Sequence, residues 1–260
     1  MDIQLNNRSI VDFYLNDLTT SHLMDEDSRG YFSGSLKEVT VTSDAEYLLE
    51  EFLEGRKDQN TLAGLFLCPP DARLYISRFL NEIQAKVDHP LFEAPAELTL
   101  TEEDNGKVIS IDTIHLVENA PIHFGTRLFV RMVMAARSIG LKKIYAEGAT
   151  HMYYYGDEAR GKKGELMPDG YTIRMPANGY YTWPRLGFDN SLKALPKRII
   201  RELPPKFHDR KRISDPMATE DGREWWKKNG CTINLTFNLS RNSSSMKILN
   251  NYIKSHNIRL

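Results

Sequence analysis

The sequence is poor in cysteine: Cys68 and Cys231 are its only two, in unrelated contexts and not as a CxxC pair. Two thiols so placed exclude a disulfide framework and point to a reducing compartment. Long apolar runs are missing as well. Nothing approaches the ~18 residues of a membrane span. The first residues, MDIQLNNRSIVDFYLND, carry acids and amides where a signal peptide needs a basic start and an apolar core. The expectation is a cytoplasmic protein with no membrane contact. Excess charge of either sign is also lacking, since 34 Lys+Arg balance 35 Asp+Glu to a net −1. Any nucleic acid or other polyanion must therefore be met by a local patch, not by a global field. The seven histidines have no metal-ligand spacing, no Gly-x-Ser-x-Gly elbow or Walker loop occurs, and no metal is expected.

What is present suits one large domain, or one domain with decorations, in 260 residues. A chain of that size buries about three quarters of its unfolded surface and needs no covalent staple. Residues 1–95 read as an N-terminal, largely helical part. Ser43-Asp44-Ala45 starts a helix that Gly55 closes. A second helix is expected over 70–87, with Leu74, Ile76, Phe79, Leu80 and Ile83 as its apolar stripe. From Ala96 the period changes to two. AELTLTEE and VISIDTIHLV flank Asn105-Gly106, whose tolerance of positive φ predicts a hairpin pairing 97–103 with 108–117. Residues 125–139 then read as a helix ending at Gly140, and 143–147 as a strand. A helix between those strands requires a crossover, so 143–147 should run parallel to 108–117. Residues 149–177 read as a long insertion with a short hairpin near Pro168-Asp169-Gly170, a substrate-site candidate on length alone. Residues 196–260 supply a basic segment, a strand (TINLTFNL) and a last helix from about Ser244.

Four pieces in the core, 96–195, fall in a telling order: VISIDTIHLV, ENAPIHFGTRLF, KKIYAEGA and GYYTWPRLGF. Strand, Gly-Thr turn into a helix, strand, and a helix ending in an aromatic-x-x-x-Gly-Phe signature resemble the GNAT superfamily of acyl-coenzyme-A-dependent N-acyltransferases. The resemblance covers Val108 to Phe188, about 80 of 260 residues. It implies a GNAT-like α/β (α+β) fold: a mixed, mostly antiparallel sheet flanked by helices, with a long insertion and a C-terminal extension. It also implies an acetyl or other acyl-coenzyme A donor and a primary-amine acceptor. Residues Leu116, Val117, His123, Phe124, Gly125, Thr126 and Arg127 would bind the cofactor, with helix-terminal amides converging on its pyrophosphate. The chain departs from the family at Ala120, where Gln or Arg is usual, at His123, where a Gly is usual, and at Trp183, where a Tyr acid is common.

Tyr180, one turn before Trp183, and its neighbour Tyr181 are the candidate general acids. Asp112, His115, Glu118 and Glu147 are the candidate bases, and Glu147, late in its strand, is the best placed. Two alternatives stay open: a domain of this shape that binds or assembles without coenzyme A chemistry, and a transferase using another activated donor such as aminoacyl. The run at 197–212, with Lys197, Arg198, Arg201, Lys206, Arg210, Lys211 and Arg212 against Glu202 and Asp209, offers contacts to a nucleic acid or an acidic protein, or is a solvated face. Trp225-Trp226 reads as a packing anchor, and Ser243-Ser244-Ser245 as a loop and helix cap.

Overall fold

Period-two burial dictates the strands. Leu74 and Ile76, then Ile83, Ala85 and Val87, then Ala96, Leu98 and Leu100, and later Ile144 and Ala146, are all buried, while the residues between them are not. Such a set fixes register, because a slip of one residue would turn every one of these side chains to the wrong face. The computed structural model describes residues 36–155 and 172–258, with the backbone alone at 151–155 and 172–176.

The elements run β1 (Glu38–Val41), α1 (Ser43–Leu53), α2 (Gln59–Leu65), β2 (Arg73–Phe79), β3 (Glu82–Asp88), β4 (Ala96–Glu103), β5 (Gly106–Thr113), α3 (Phe124–Ser138) and β6 (Lys143–Gly148). There follow β7 (His151–Tyr155), β8 (Thr172–Pro176), α4 (Gly179–Arg185), α5 (Lys197–Glu202), α6 (Ser214–Met217), α7 (Glu220–Asn229), β9 (Ile233–Asn238) and α8 (Ser244–Ser255). One seven-stranded sheet has the order β1-β2-β3-β4-β5-β6-β9. Pairs β1–β2 and β5–β6 are parallel and the rest antiparallel, so the sheet is mixed and mostly antiparallel, with helices packed on it. Strands β7 and β8 form a separate two-stranded hairpin. The turn expected at Pro168-Asp169-Gly170 lies outside the described residues.

The helix expected over 70–87 is instead the β2–β3 hairpin. Leu74 and Ile76 are two apart and buried, whereas Phe79 and Leu80, counted into the helical stripe, are exposed at the turn. A helix would have placed Leu74 and Ile76 on different faces; alternation was the stronger signal. The 97–103 hairpin forms as expected, but its turn is different in detail. Only Gly106 has positive φ, at 109°, and Glu103 pairs with Gly106, so the turn residues are Asp104 and Asn105. Strand β5 ends at Thr113, short of the expected residue 117.

Helix α1 begins after Thr42, with Asp44 and Glu46 in its first turn, where the helix dipole favours acids. Asp58 caps α2 by accepting from the amides of Asn60 and Thr61. The buried strand side chains form one continuous core with α1, α2, α3 and the C-terminal elements. Across the register, Gln84, Thr99, Ser110 and Tyr145 line the other face of the sheet. At the far end, Leu186, Phe188, Trp226 and Phe237 join the same core. Gly187 makes that junction tight: its φ is 100°, and a Cβ there would lie 2.4 Å from the Ser245 carbonyl oxygen. No helix among the described residues is long and apolar enough to cross a membrane.

Candidate functional site

The two central parallel strands part company. Residues Val108 to Ile111 of β5 pair with Lys143 to Ala146 of β6, and there the pairing stops. A register shift against β4 at Glu97/Leu98 bends β5 at this point. Further along, the Glu93 amide donates to the His115 carbonyl (2.9 Å) and the Val117 amide donates to the Leu91 carbonyl (3.0 Å). The chain at 115–117 is thus drawn towards Leu91–Glu93, while β6 goes on to pair with β9 through Gly148. Backbone groups alternate along an extended strand, so those of Leu116 point the opposite way, into the gap.

The gap leads to the N-terminus of α3. Ala120 and Phe124 close the loop by donating to the Val117 and Pro121 carbonyls (3.0 Å each). His123, the residue before the helix, has φ 62° and ψ 10°, a left-handed conformation that L side chains rarely adopt. The chain therefore takes a glycine-like path here despite the imidazole. Phe124 is buried beneath the loop, and the Gly125 Cα comes so close to the strand that a Cβ would lie 3.0 Å from Leu116 Cδ1. Thr126 stands in the first turn, and Arg127 folds back so that its Nη1 donates to the Ile122 carbonyl (3.4 Å). Residues 116 and 123–127 thus come together around one helix terminus. Burial pushes the His123 imidazole below its ordinary pKa, and the neighbouring His256, Arg127 and Arg185 push the same way.

Helix α4 crosses beside the end of β6. The Tyr180 hydroxyl donates to the Lys227 carbonyl (2.8 Å), and the Tyr180 carbonyl accepts from Trp226 Nε1 (2.8 Å). The Tyr181 ring carries Arg185 on it at 5.2 Å and Lys227 at 5.9 Å. Trp183 packs edge-on against Phe129 and lies 5.0 Å from Phe188, while Trp226 is fully buried. Glu147 is exposed. It alternates with Gly148, which abuts Tyr180, and so lies on the opposite face of the sheet from both tyrosines.

The other carboxylates are dispersed. Asp112 Oδ2 accepts from Thr99 Oγ1 (2.6 Å); burial raises the Asp112 pKa, that hydrogen bond opposes the rise, and Glu97 and Glu82 add to it. Glu118 is exposed. His115 Nδ1 contacts the carboxylate of Glu93, a residue only 6% exposed. Sequence reading had no signal for Glu93, since its partner is fixed by the cross-strand pairing of Glu93 with His115. Arg185, Tyr252 and His256 were also missed. The last two are four apart at the end of a predicted helix, a spacing that places them on one face.

The basic stretch is only partly available. Arg212 Nε donates to Asp189 Oδ2 (2.8 Å), and Lys206 pairs with Asp221. Ile199, Leu203 and Phe207 are buried beneath it, leaving Lys197, Arg198, Arg201, Arg210 and Lys211 exposed. Ser243 caps α8 by accepting from the Met246 amide (3.2 Å). Comparison with family models, curated proteins and solved structures finds no match to this chain.

Proposed function

We propose that this protein is an acyl-coenzyme-A-dependent N-acyltransferase of GNAT type, moving an acetyl or other acyl group to a primary amine. The observation that carries the reading is the parting of β5 and β6 at Ile111 and Ala146, next to a left-handed turn into α3. The strand edge at Leu116 offers backbone groups to an extended amide-bearing arm and an amide to a developing oxyanion. The turn at His123 to Arg127 offers amides, an imidazole and a guanidinium to a pyrophosphate. Glu147 and Asp112, on the polar face, suit a protonated amine approaching from the other side of the sheet. Tyr181 is the better candidate acid, because the Tyr180 hydroxyl is already committed to a carbonyl. Two free thiols suit a cytoplasmic setting, and the exposed part of 197–211 suits a nucleic-acid-linked or acidic protein acceptor.

The test is a thermal-shift titration with acetyl-coenzyme A. A ligand that binds only the native state at 100 times its Kd adds about 2.7 kcal/mol, or roughly 5–10 °C in Tm at this chain length. No shift at millimolar concentration would sink the reading. A second reading, a module of this shape that binds without acyl chemistry, is favoured by Trp183, which packs in the aromatic core where an acid would be needed. Coenzyme A binding without turnover on any amine would select it.

A further inference from the structure

Helix α8 lies outside the stretch that carries the resemblance, yet it completes a cationic cleft beside the loop. Arg185 is the centre. Its guanidinium lies 5.2 Å from the Tyr181 ring centroid and 5.1 Å from that of Tyr252, so the planar group rests against two aromatic rings. Its Nη2 is 3.5 Å from His256 Nε2. The His256 ring stacks on Tyr252 at 4.0 Å, and its Nδ1 lies 2.9 Å from the Tyr252 carbonyl. That contact places the proton of the neutral imidazole on Nδ1 and leaves Nε2 as an acceptor for Arg185. Among the described residues, no carboxylate pairs with Arg185.

Beside this group opens a cleft of about 480 Å³, with Arg185, Ser214, Arg223, Tyr252, Ser255 and His256 among its walls and no acidic residue in its lining. One of its walls, His256, reaches the α3 loop: the His123 and His256 rings stand 5.9 Å apart, edge to face. An arginine fixed by two rings has surrendered its side-chain freedom before a ligand arrives, so little ordering remains to oppose binding. Its free edge is a planar fork that matches two oxygens of one phosphate.

We propose that this cleft binds a phosphate group on the nucleoside part of the donor, with Arg185 as its chief contact and His256 as its second. The inference rests on the acyl-coenzyme A reading, and adds that the protein distinguishes a nucleoside carrying phosphates at both its 3′ and 5′ positions from one phosphorylated at 5′ alone.

The experiment is calorimetric titration of the full chain with coenzyme A and with dephospho-coenzyme A, for the parent, Arg185→Gln and His256→Gln. The parent should favour the 3′-phosphorylated form by tenfold or more, the range of one charge-assisted bidentate contact. Arg185→Gln should erase that preference while weakening the dephospho form by at most about threefold. His256→Gln, at an exposed position in the last turn, should reduce the preference several-fold and guards against an Arg185 variant that fails to fold. Equal binding of both ligands by the parent would overturn the cleft assignment and leave the donor reading standing. Equal losses for both ligands in Arg185→Gln would also overturn it, by showing that Arg185 serves the loop. Binding of neither ligand by the parent would overturn both readings.

Discussion

Asp189 is the residue whose replacement should be felt most clearly through the whole C-terminal part of the molecule. It follows the Gly187-Phe188 signature and is 4% exposed. Its Oδ1 accepts from the Asn190 amide (2.9 Å) and the Ser214 amide (3.1 Å), and its Oδ2 from Arg212 Nε and the Ser214 hydroxyl (2.8 Å each). Its backbone exchanges two hydrogen bonds with Thr236 of β9. Asp189 thus ties the end of the basic segment to its carboxylate and the last strand to its backbone.

In Asp189→Asn the side-chain shape is kept, but the amide can accept on one side only. Whichever way it is turned, two donors face an NH₂ group. The Ser214 hydroxyl can rotate away, whereas Arg212 Nε or a backbone amide cannot. One lost charge-assisted bond and one unpaired donor would cost about 3–5 kcal/mol in a fully buried setting. Arg212 is 52% exposed, so water recovers part of that. We expect a loss of about 2–3 kcal/mol, or roughly 4–12 °C in Tm. Arg212→Ala should lose only about 1 kcal/mol, since the carboxylate keeps its other donors. Urea denaturation followed by circular dichroism measures both. A value for Asp189→Asn within 0.5 kcal/mol of the parent would refute the tie, and so would Arg212→Ala proving the costlier change.

Gly125→Asp sets a charge and a side chain against Leu116 at the α3 terminus, and should weaken acetyl-coenzyme A binding at least tenfold by calorimetry; unchanged affinity with an intact fold would rule out the loop as the donor site. Tyr181→Phe should lower turnover by about 10²–10⁴ if its hydroxyl supplies the proton, with Tyr180→Phe far milder; full turnover in both would leave water or substrate as the acid. Because the folded state holds the His123 pKa below the unfolded value of about 6.5, the unfolded chain takes up the proton first as pH falls. The contribution is therefore fully present above pH ~6.5 and is lost below it, and pyrophosphate in the loop should reverse the loss. Thermal melts at pH 7.5 and 5.5 for the parent and His123→Gly check the sign: the variant should show the smaller fall. If the acceptor carries nucleic acid, Arg210→Ala with Lys211→Ala should flatten the salt dependence of RNA binding by up to about two contacts' worth, and parent binding that ignores salt would exclude a phosphate-reading surface.

The local elements with one clear period were legible in the sequence. The 96–113 hairpin, the 124–138 helix and the parallel strand at 143–148 each follow from a pattern that a few neighbouring residues carry. The β2–β3 hairpin was misread where two periods competed. Phe79, Leu80 and Ile83 fit a helix, while Leu74 and Ile76 fit a strand, and burial sided with the strand. Strand β1 could not be read at all. Four residues with half-exposed side chains, EVTV, gain their place from parallel pairing to β2 across an intervening pair of helices.

The site divides along the same line. His123, Gly125 and Arg127 could be proposed from the sequence because the loop is continuous there, and a phosphate cradle needs neighbouring amides. Glu93, Asp189, Arg185 and His256 act across 22, 23 and 71 residues of separation from their partners His115, Arg212 and each other. Nothing local marks a carboxylate that will be buried opposite an imidazole, or an arginine that will be clasped by an aromatic ring from the last helix. Arg212 shows the consequence. In the sequence it is one of seven cations in a basic run, equal to Arg210 and Lys211. In the fold it is a positioning group for Asp189, and an alanine scan that treated the three alike would mistake lost stability for lost binding. The exposed cations Arg210 and Lys211 are therefore the ones to change when binding is measured, and Arg212 the one to keep.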